Sequence, residues 1–133
     1  MPRASEKNVN KDILEESQDN FALLISALNK EKDIQTFFEN FLTKEEKTML
    51  TKRLMLHLLL EKEYRVTEIA SILGISRETI RVHKHVWSQR DETYKSLLRK
   101  IAKLKKTKAF WKKVEKVVAP FTINVEYKDS SKT

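Results

Sequence analysis

The sequence predicts an all-α protein, and three observations carry that prediction. One glycine and two prolines in 133 residues leave few interruptions to helix. Leu, Lys, Glu, Ile and Ala fill the middle of the chain, a composition that favours helix throughout. Apolar residues recur at three- and four-residue steps from Ile13 onward. The length fits one domain with a modest core, and 35% charged residues leave comparatively little apolar surface to build it. A second copy of the chain would ease that shortage.

Residues 1–11 are polar and read as a disordered arm. A first helix carries Ile13, Leu14, Phe21, Leu24, Ile25 and Leu28 on one face and ends near Asn29. A second, short and dense in core-type residues, carries Ile34, Phe37, Phe38, Phe41 and Leu42. "TKEE", Thr43 to Glu46, is a capping box that starts a third helix running to about Lys62. Its second half, "LMLHLLL" from Leu54 to Leu60, is apolar all round, so burial on more than one side is expected. The plainest supply of the second wall is another subunit, with this helix at a two-fold interface.

Next comes a bend. Thr67 is the expected N-cap of a two-turn helix whose inner face is Ile69, Ala70 and Leu73, and Gly74 takes the left-handed conformation that ends it. Ser76 caps the helix that follows, Ile75 plugs the turn and Ile80 returns inward, which is helix-turn-helix spacing. With Ile80, His83 and Trp87 inward, Arg77, Arg81, Lys84 and Ser88 form the opposite stripe, beside Glu78 and His85. Entering a major groove N-terminus first, such a helix offers Arg77 and Arg81 to guanine and Glu78 to a cytosine amino group. Thr67, Ser76 and Thr79 sit near helix starts, where phosphates are favoured.

The net charge is +8 and it is polarised: Arg77 to Lys116 holds fourteen Lys or Arg against four acids. A basic half facing an anionic polymer gains from counterion release, although a lysine-rich solvated surface gives the same count.

"FFENFLTKEEKTMLTKRL" (Phe37 to Leu54), followed by "EIASILGISRETI" (Glu68 to Ile80), resembles the tryptophan repressor family, most closely its branch of Trp-repressor-like regulators. The resemblance covers roughly residues 20–90, and "FLT(K)EE", Arg53, "LG" and "TI" are its most specific points. It implies an intertwined all-helical homodimer whose two helix-turn-helix units enter successive major grooves of double-stranded DNA. In that family an arginine of the reading helix and one of the central helix sandwich the corepressor's indole. Arg53 and Thr43 fall at matching places, but Val82 replaces the reading-helix arginine, and His83 and Val86 replace a glycine and a small polar residue. Tryptophan binding is therefore not expected, and no other cofactor is. Arg53 then reads as a salt-bridge partner of Glu46 or another helical neighbour.

Past Arg90, Tyr94, Leu97, Leu98, Ile101 and Leu104 form one stripe on a further helix crowded with cations elsewhere. Thr107 caps another, with Phe110, Trp111, Val114, Val117 and Val118 inside, and Pro120 closes it. "FTINVEY", Phe121 to Tyr127, alternates, reading as a short strand or an extended segment laid on a groove, and "KDSSKT" as disordered. Lys103, Lys105, Lys106 and Lys108 are candidate contacts to flanking phosphates; equally, these helices buttress the dimer.

The domain reading is thus a disordered arm (1–11), a Trp-repressor-like domain (12–90), a basic helical extension (91–119) and an extended tail (120–133). Cysteine is absent, His83 and His85 diverge on a helix, and His57 stands among leucines as a packed or interface residue, so no metal site is expected. There is no phosphate loop and no nucleophile with a base, so no enzyme is expected. The polar start lacks a signal-peptide core and no apolar stretch spans a bilayer, which places the protein in the cytoplasm, on the nucleoid. Two functions stay open: a sequence-specific DNA-binding regulator that represses by occluding polymerase, or a module that coats nucleic acid without sequence preference or grips a protein partner.

Overall fold

A computed structural model describes the backbone of residues 10–128 and the side chains to Ala119. Its helices are α1 (Lys11–Ala27), α2 (Glu31–Phe41), α3 (Lys44–Glu61), α4 (Val66–Leu73), α5 (Arg77–Trp87), α6 (Glu92–Ala102) and α7 (Lys108–Lys128). A 3-10 turn, Lys105–Thr107, precedes α7, and no strand occurs among the described residues. The expected arm falls mostly on residues 1–9 and the disordered end mostly on residues 129–133, outside the described residues. α1 begins inside the stretch expected as an arm, because the Asn10 side chain accepts from the backbone N–H groups of Asp12 and Ile13 and starts the helix at Lys11.

The chain divides into two compact units, Met1–Leu50 and Thr51–Thr133. In the first, α1 and α2 bury no residue completely. Phe21 and Phe37 lie 5.5 and 5.0 Å from the Phe41 ring, a small aromatic contact rather than a core. Ile13, Leu14, Phe21, Leu23, Leu24, Phe41, Met49 and Leu50 stay exposed. The capping box forms as expected: Thr43 N–H donates to Glu46 Oε1 at 2.8 Å, and Glu46 N–H donates to Thr43 Oγ1 at 3.1 Å. Those bonds hold the Glu46 carboxyl below the usual carboxylate range. They also engage the acid expected for Arg53, which is exposed and makes no ion pair among the described residues.

The second unit holds the core. Leu56, Leu58, Leu59, Leu60, Ile69, Ile80, Leu98, Trp111 and Val114 form one buried cluster. Leu56 to Leu60 are therefore enclosed on all sides, as their all-round apolarity predicts, but α4 to α7 of the same chain supply the walls. No second subunit is needed for that stretch. Open apolar side chains occur in each unit, Ile13 to Leu50 in the first and Leu54, Leu97, Ile101, Leu104, Phe110 and Val117 among those in the second.

Helix ends show which local signals decided. α3 closes with Tyr64 N–H donating to the Leu59 carbonyl and Glu63 N–H to that of Leu60. This places Glu63 at φ 61°, a left-handed position usually taken by glycine. α4 starts two residues earlier than Thr67 would dictate: Arg65 is the N-cap, and its N–H donates to Glu68 Oε1 at 2.8 Å. An acid at the third helical position ties down the capping N–H whatever residue carries it, so Thr67 falls inside the first turn. Asp91 caps α6 by accepting from the N–H groups of Thr93 and Tyr94.

Four expectations for the C-terminal helices need correction. Thr107 does not cap α7; its hydroxyl donates back to the carbonyls of Leu104 (2.7 Å) and Ala102 (3.4 Å), closing the 3-10 turn. The stripe on α6 is really two rows. Tyr94 and Leu98 face the core, whereas Leu97, Ile101 and Leu104, rotated by one residue, are exposed. In α7, likewise, Trp111, Val114 and Val118 are buried while Phe110 and Val117 are not. Finally, α7 runs through Pro120 to Lys128 where an extended tail was expected. Phe121, Ile123, Val125 and Tyr127 alternate but also fall four apart, and extending an existing helix needs no new nucleus, whereas a strand needs a partner.

Candidate nucleic-acid interface

α4 and α5 are joined by Gly74, Ile75 and Ser76. Gly74 sits at φ 65°, ψ 33°, and its N–H donates to the Ala70 carbonyl at 2.9 Å, so the corner closes as the sequence requires. Ser76 then restarts the helix: its Oγ accepts from Thr79 N–H at 3.2 Å and donates to Thr79 Oγ1 at 2.8 Å. Ile69 and Ile80, one from each helix, are both 0% exposed and lock the two together. Ala70, Leu73 and Ile75 pack against the same core.

The far end of α5 is held as firmly. His57 of α3 shares a hydrogen bond with Tyr94 of α6 through Nδ1 and Oη, at 2.5 Å. Its ring stands 5.1 Å from Trp87 of α5 and perpendicular to Tyr94 at 5.5 Å. His57 is thus a packed residue inside the chain. Burial first, then the nearby charges of Arg90, His83 and Arg53, push its imidazole down from 6.5 to about 4. Between those values the unfolded chain binds a proton that the folded one refuses, so His57 contributes stability above pH 6.5 that is lost as pH falls towards 4. Urea unfolding of the wild type should weaken across that window by at most about 1.4 kcal/mol per pH unit. His57→Gln should flatten the slope; an unchanged slope would assign it to other groups.

With its inner side fixed, α5 turns its other side outward. Arg77, Glu78, Arg81, Lys84, His85 and Ser88 are all exposed. Arg81 meets Glu78 at a loose 3.5 Å, and Arg77 makes no ion pair among the described residues. Thr79 is exposed but its hydroxyl is engaged by Ser76, and Thr67 is half-buried. Lys103, Lys105, Lys106 and Lys108 are exposed around the turn from α6 to α7, not on the α5 face. Two outward residues of α5 are not legible as contacts in the sequence, Val82 and Val86; Val82, 60% exposed, lies in the row Glu78–Val82–His85. Its signal was the four-residue step from Glu78, masked by an apolar side chain that sequence reading expects inside.

Among the described residues no group of His, Asp or Glu is placed to hold a metal ion, and no helix is long and apolar enough to cross a membrane.

In this all-helical chain a short cationic helix, α5, follows α4 across a glycine corner and leaves its charged side exposed. The chain belongs to the Trp repressor family: the family described as Trp repressor protein matches residues 16–102. The match reaches the end of α6, leaving the 3-10 turn and α7 outside it. This is a family of DNA-binding transcription regulators, not of enzymes. No curated protein and no solved structure matches the chain.

Proposed function

We propose that the chain is a sequence-specific regulator of transcription, a repressor that works as a homodimer in the cytoplasm and reads double-stranded DNA through the outer face of α5. The observation that carries this reading is the pairing of a sealed inner side with an unpaired outer one. Ile80 is fully buried while Arg77 and Arg81 stand free of any strong ion pair among the described residues, so reaching a base edge breaks little. Arg77, Arg81 and Glu78 meet base edges, with Lys84 and His85 beside them. Val82 offers methyl groups to a thymine methyl. The N-terminal ends of α4 and α5, with Thr67, Ser76 and Thr79, set register on phosphates, and Lys103, Lys105, Lys106 and Lys108 lengthen the footprint.

The homodimer is supported by the apolar side chains that α1, α2 and the start of α3 leave open, Phe21, Leu24, Phe41, Met49 and Leu50 among them. Tryptophan is not the effector in this reading: at 82 and 86 α5 carries exposed valines, which cannot hold an indole between two guanidinium planes. Selection of bound fragments from a random duplex pool, with the mass of the complex measured alongside, tests the proposal. A motif with two-fold symmetry bound by two chains supports it. No enriched motif would assign the helices to unspecific coating of nucleic acid or to a protein partner.

A further inference from the structure

A second cationic feature lies away from α5. A cavity of about 310 Å³ opens where the end of α3, the end of α6 and the start of α7 meet. Lys62, Lys103, Lys105, Lys108 and Lys112 line it, and Glu115 is its one acid. We propose that this cup is an oxyanion site, built to take a phosphate-rich ligand.

Several features of the cup point the same way. Five lysines, from the segments just past α3 and α6, the 3-10 turn and α7, line one concavity with a single carboxylate, so the cup carries an excess of positive charge in the free protein. The first turn of α7 carries no acid, and Lys108 stands at the positive end of that helix, where a cation is disfavoured. A solvated lysine-rich surface scatters its charges over separate faces; here five lysines line one concavity. Lys62 is held in place without being neutralised, its Nζ 3.8 Å from the centre of the Trp111 ring. Trp111 itself lines the cavity, is 7% exposed, and its buried indole N–H has no acceptor among the described residues.

The donor type narrows the ligand. Every cation in the cup is a lysine, a compact point charge on a flexible stem, and several such charges together favour a ligand that carries several negative charges close to one another. Such groups suit phosphate oxygens, whose directions vary and whose charge density matches several ammonium groups at once. The phosphates come either from a nucleic-acid backbone or from a free polyphosphate such as a nucleotide tail. The site stands independently of what α5 reads.

Calorimetric titration of the full-length, DNA-free protein with inorganic tripolyphosphate at low salt tests this directly. Saturable binding of one equivalent per chain is expected. The exposed triple variant Lys105→Gln, Lys108→Gln, Lys112→Gln should weaken it about tenfold or more. The charge-matched variant Lys100→Gln, Lys113→Gln, Lys116→Gln, whose lysines are exposed outside the cup, should bind nearly as the wild type does. Repeating the titration with random-sequence duplex present separates the sources. Displacement of tripolyphosphate identifies the backbone as the natural ligand, and simultaneous binding identifies a free polyphosphate. Absence of saturation, or equal weakening by both triple variants, would overturn the site, and neither result bears on base reading by α5.

Discussion

Leu59→Ala should lower the unfolding free energy by about 2–5 kcal/mol, the usual range for emptying a fully enclosed leucine site. Leu59 is 0% exposed in a cluster with Leu56, Ile69, Ile80 and Leu98, so α3, α4, α5 and α6 all lose contacts at once. Because the α4–α5 corner rests on the same cluster, the presentation of Arg77 and Arg81 depends on it too. Leu97→Ala is the natural comparison: that side chain is 51% exposed, and its loss should cost under about 1 kcal/mol in the isolated chain. Urea unfolding of the two variants measures the difference. Equal costs would mean that the all-round apolar half of α3 is not the centre of the core.

Phe21→Asp combined with Leu24→Asp should have the largest effect on DNA binding. Both residues are about half exposed in the single chain and α1 buries nothing completely, so within the chain the main contact the substitutions remove is that of Phe21 with the Phe41 ring. In the proposed homodimer they place carboxylates in an apolar interface, which is strongly unfavourable without partners. The two-chain species should disappear in sedimentation. Operator affinity should fall by about 10²–10⁴, because the second half-site is then no longer held close by the first. A variant that stays two-chain would move the interface off α1.

Much of this arrangement was legible because local chemistry specifies it. Thr43 and Glu46 sit at the spacing their reciprocal bonds need, Gly74 is where a left-handed residue must end α4, and Ser76 stands three residues before the N–H it accepts from. Ile69 and Ile80 follow from period alone. What was hidden depended on partners that a pattern does not name. The apolarity of Leu54 to Leu60 says that the helix is enclosed but not by which helices, and the chain's own α4 to α7 proved to be the wall around Leu56 to Leu60. Glu63 occupies a left-handed position with no glycine to announce it. Arg65 precedes α4 because Glu68 supplies the cap from inside the helix, leaving Thr67 no capping role. The five apolar residues from Tyr94 to Leu104 span two rows, and only packing decides which row turns inward.

The candidate site divides along the same line. Sequence spacing put Arg77, Arg81, Lys84 and Ser88 on one side of α5, and the exposed side holds them. Val82 was read there only as a departure from the family's tryptophan pocket, yet it stands in the middle of the outward face. Of the lysines lining the cup, Lys103, Lys105 and Lys108 are legible in sequence as phosphate contacts, whereas Lys62 and Lys112 join them only through tertiary packing across fifty residues of chain.

The central claim is that α5 carries sequence information to base edges, and Arg81→Ala tests it most directly. Affinities of the wild type and the variant are measured for the selected duplex and for copies changed at one base pair at a time. Base reading predicts a loss of about 1–3 kcal/mol on the selected duplex, with discrimination erased at one symmetry-related pair of positions and retained elsewhere. An equal loss on every duplex would make Arg81 a phosphate contact and contradict the account.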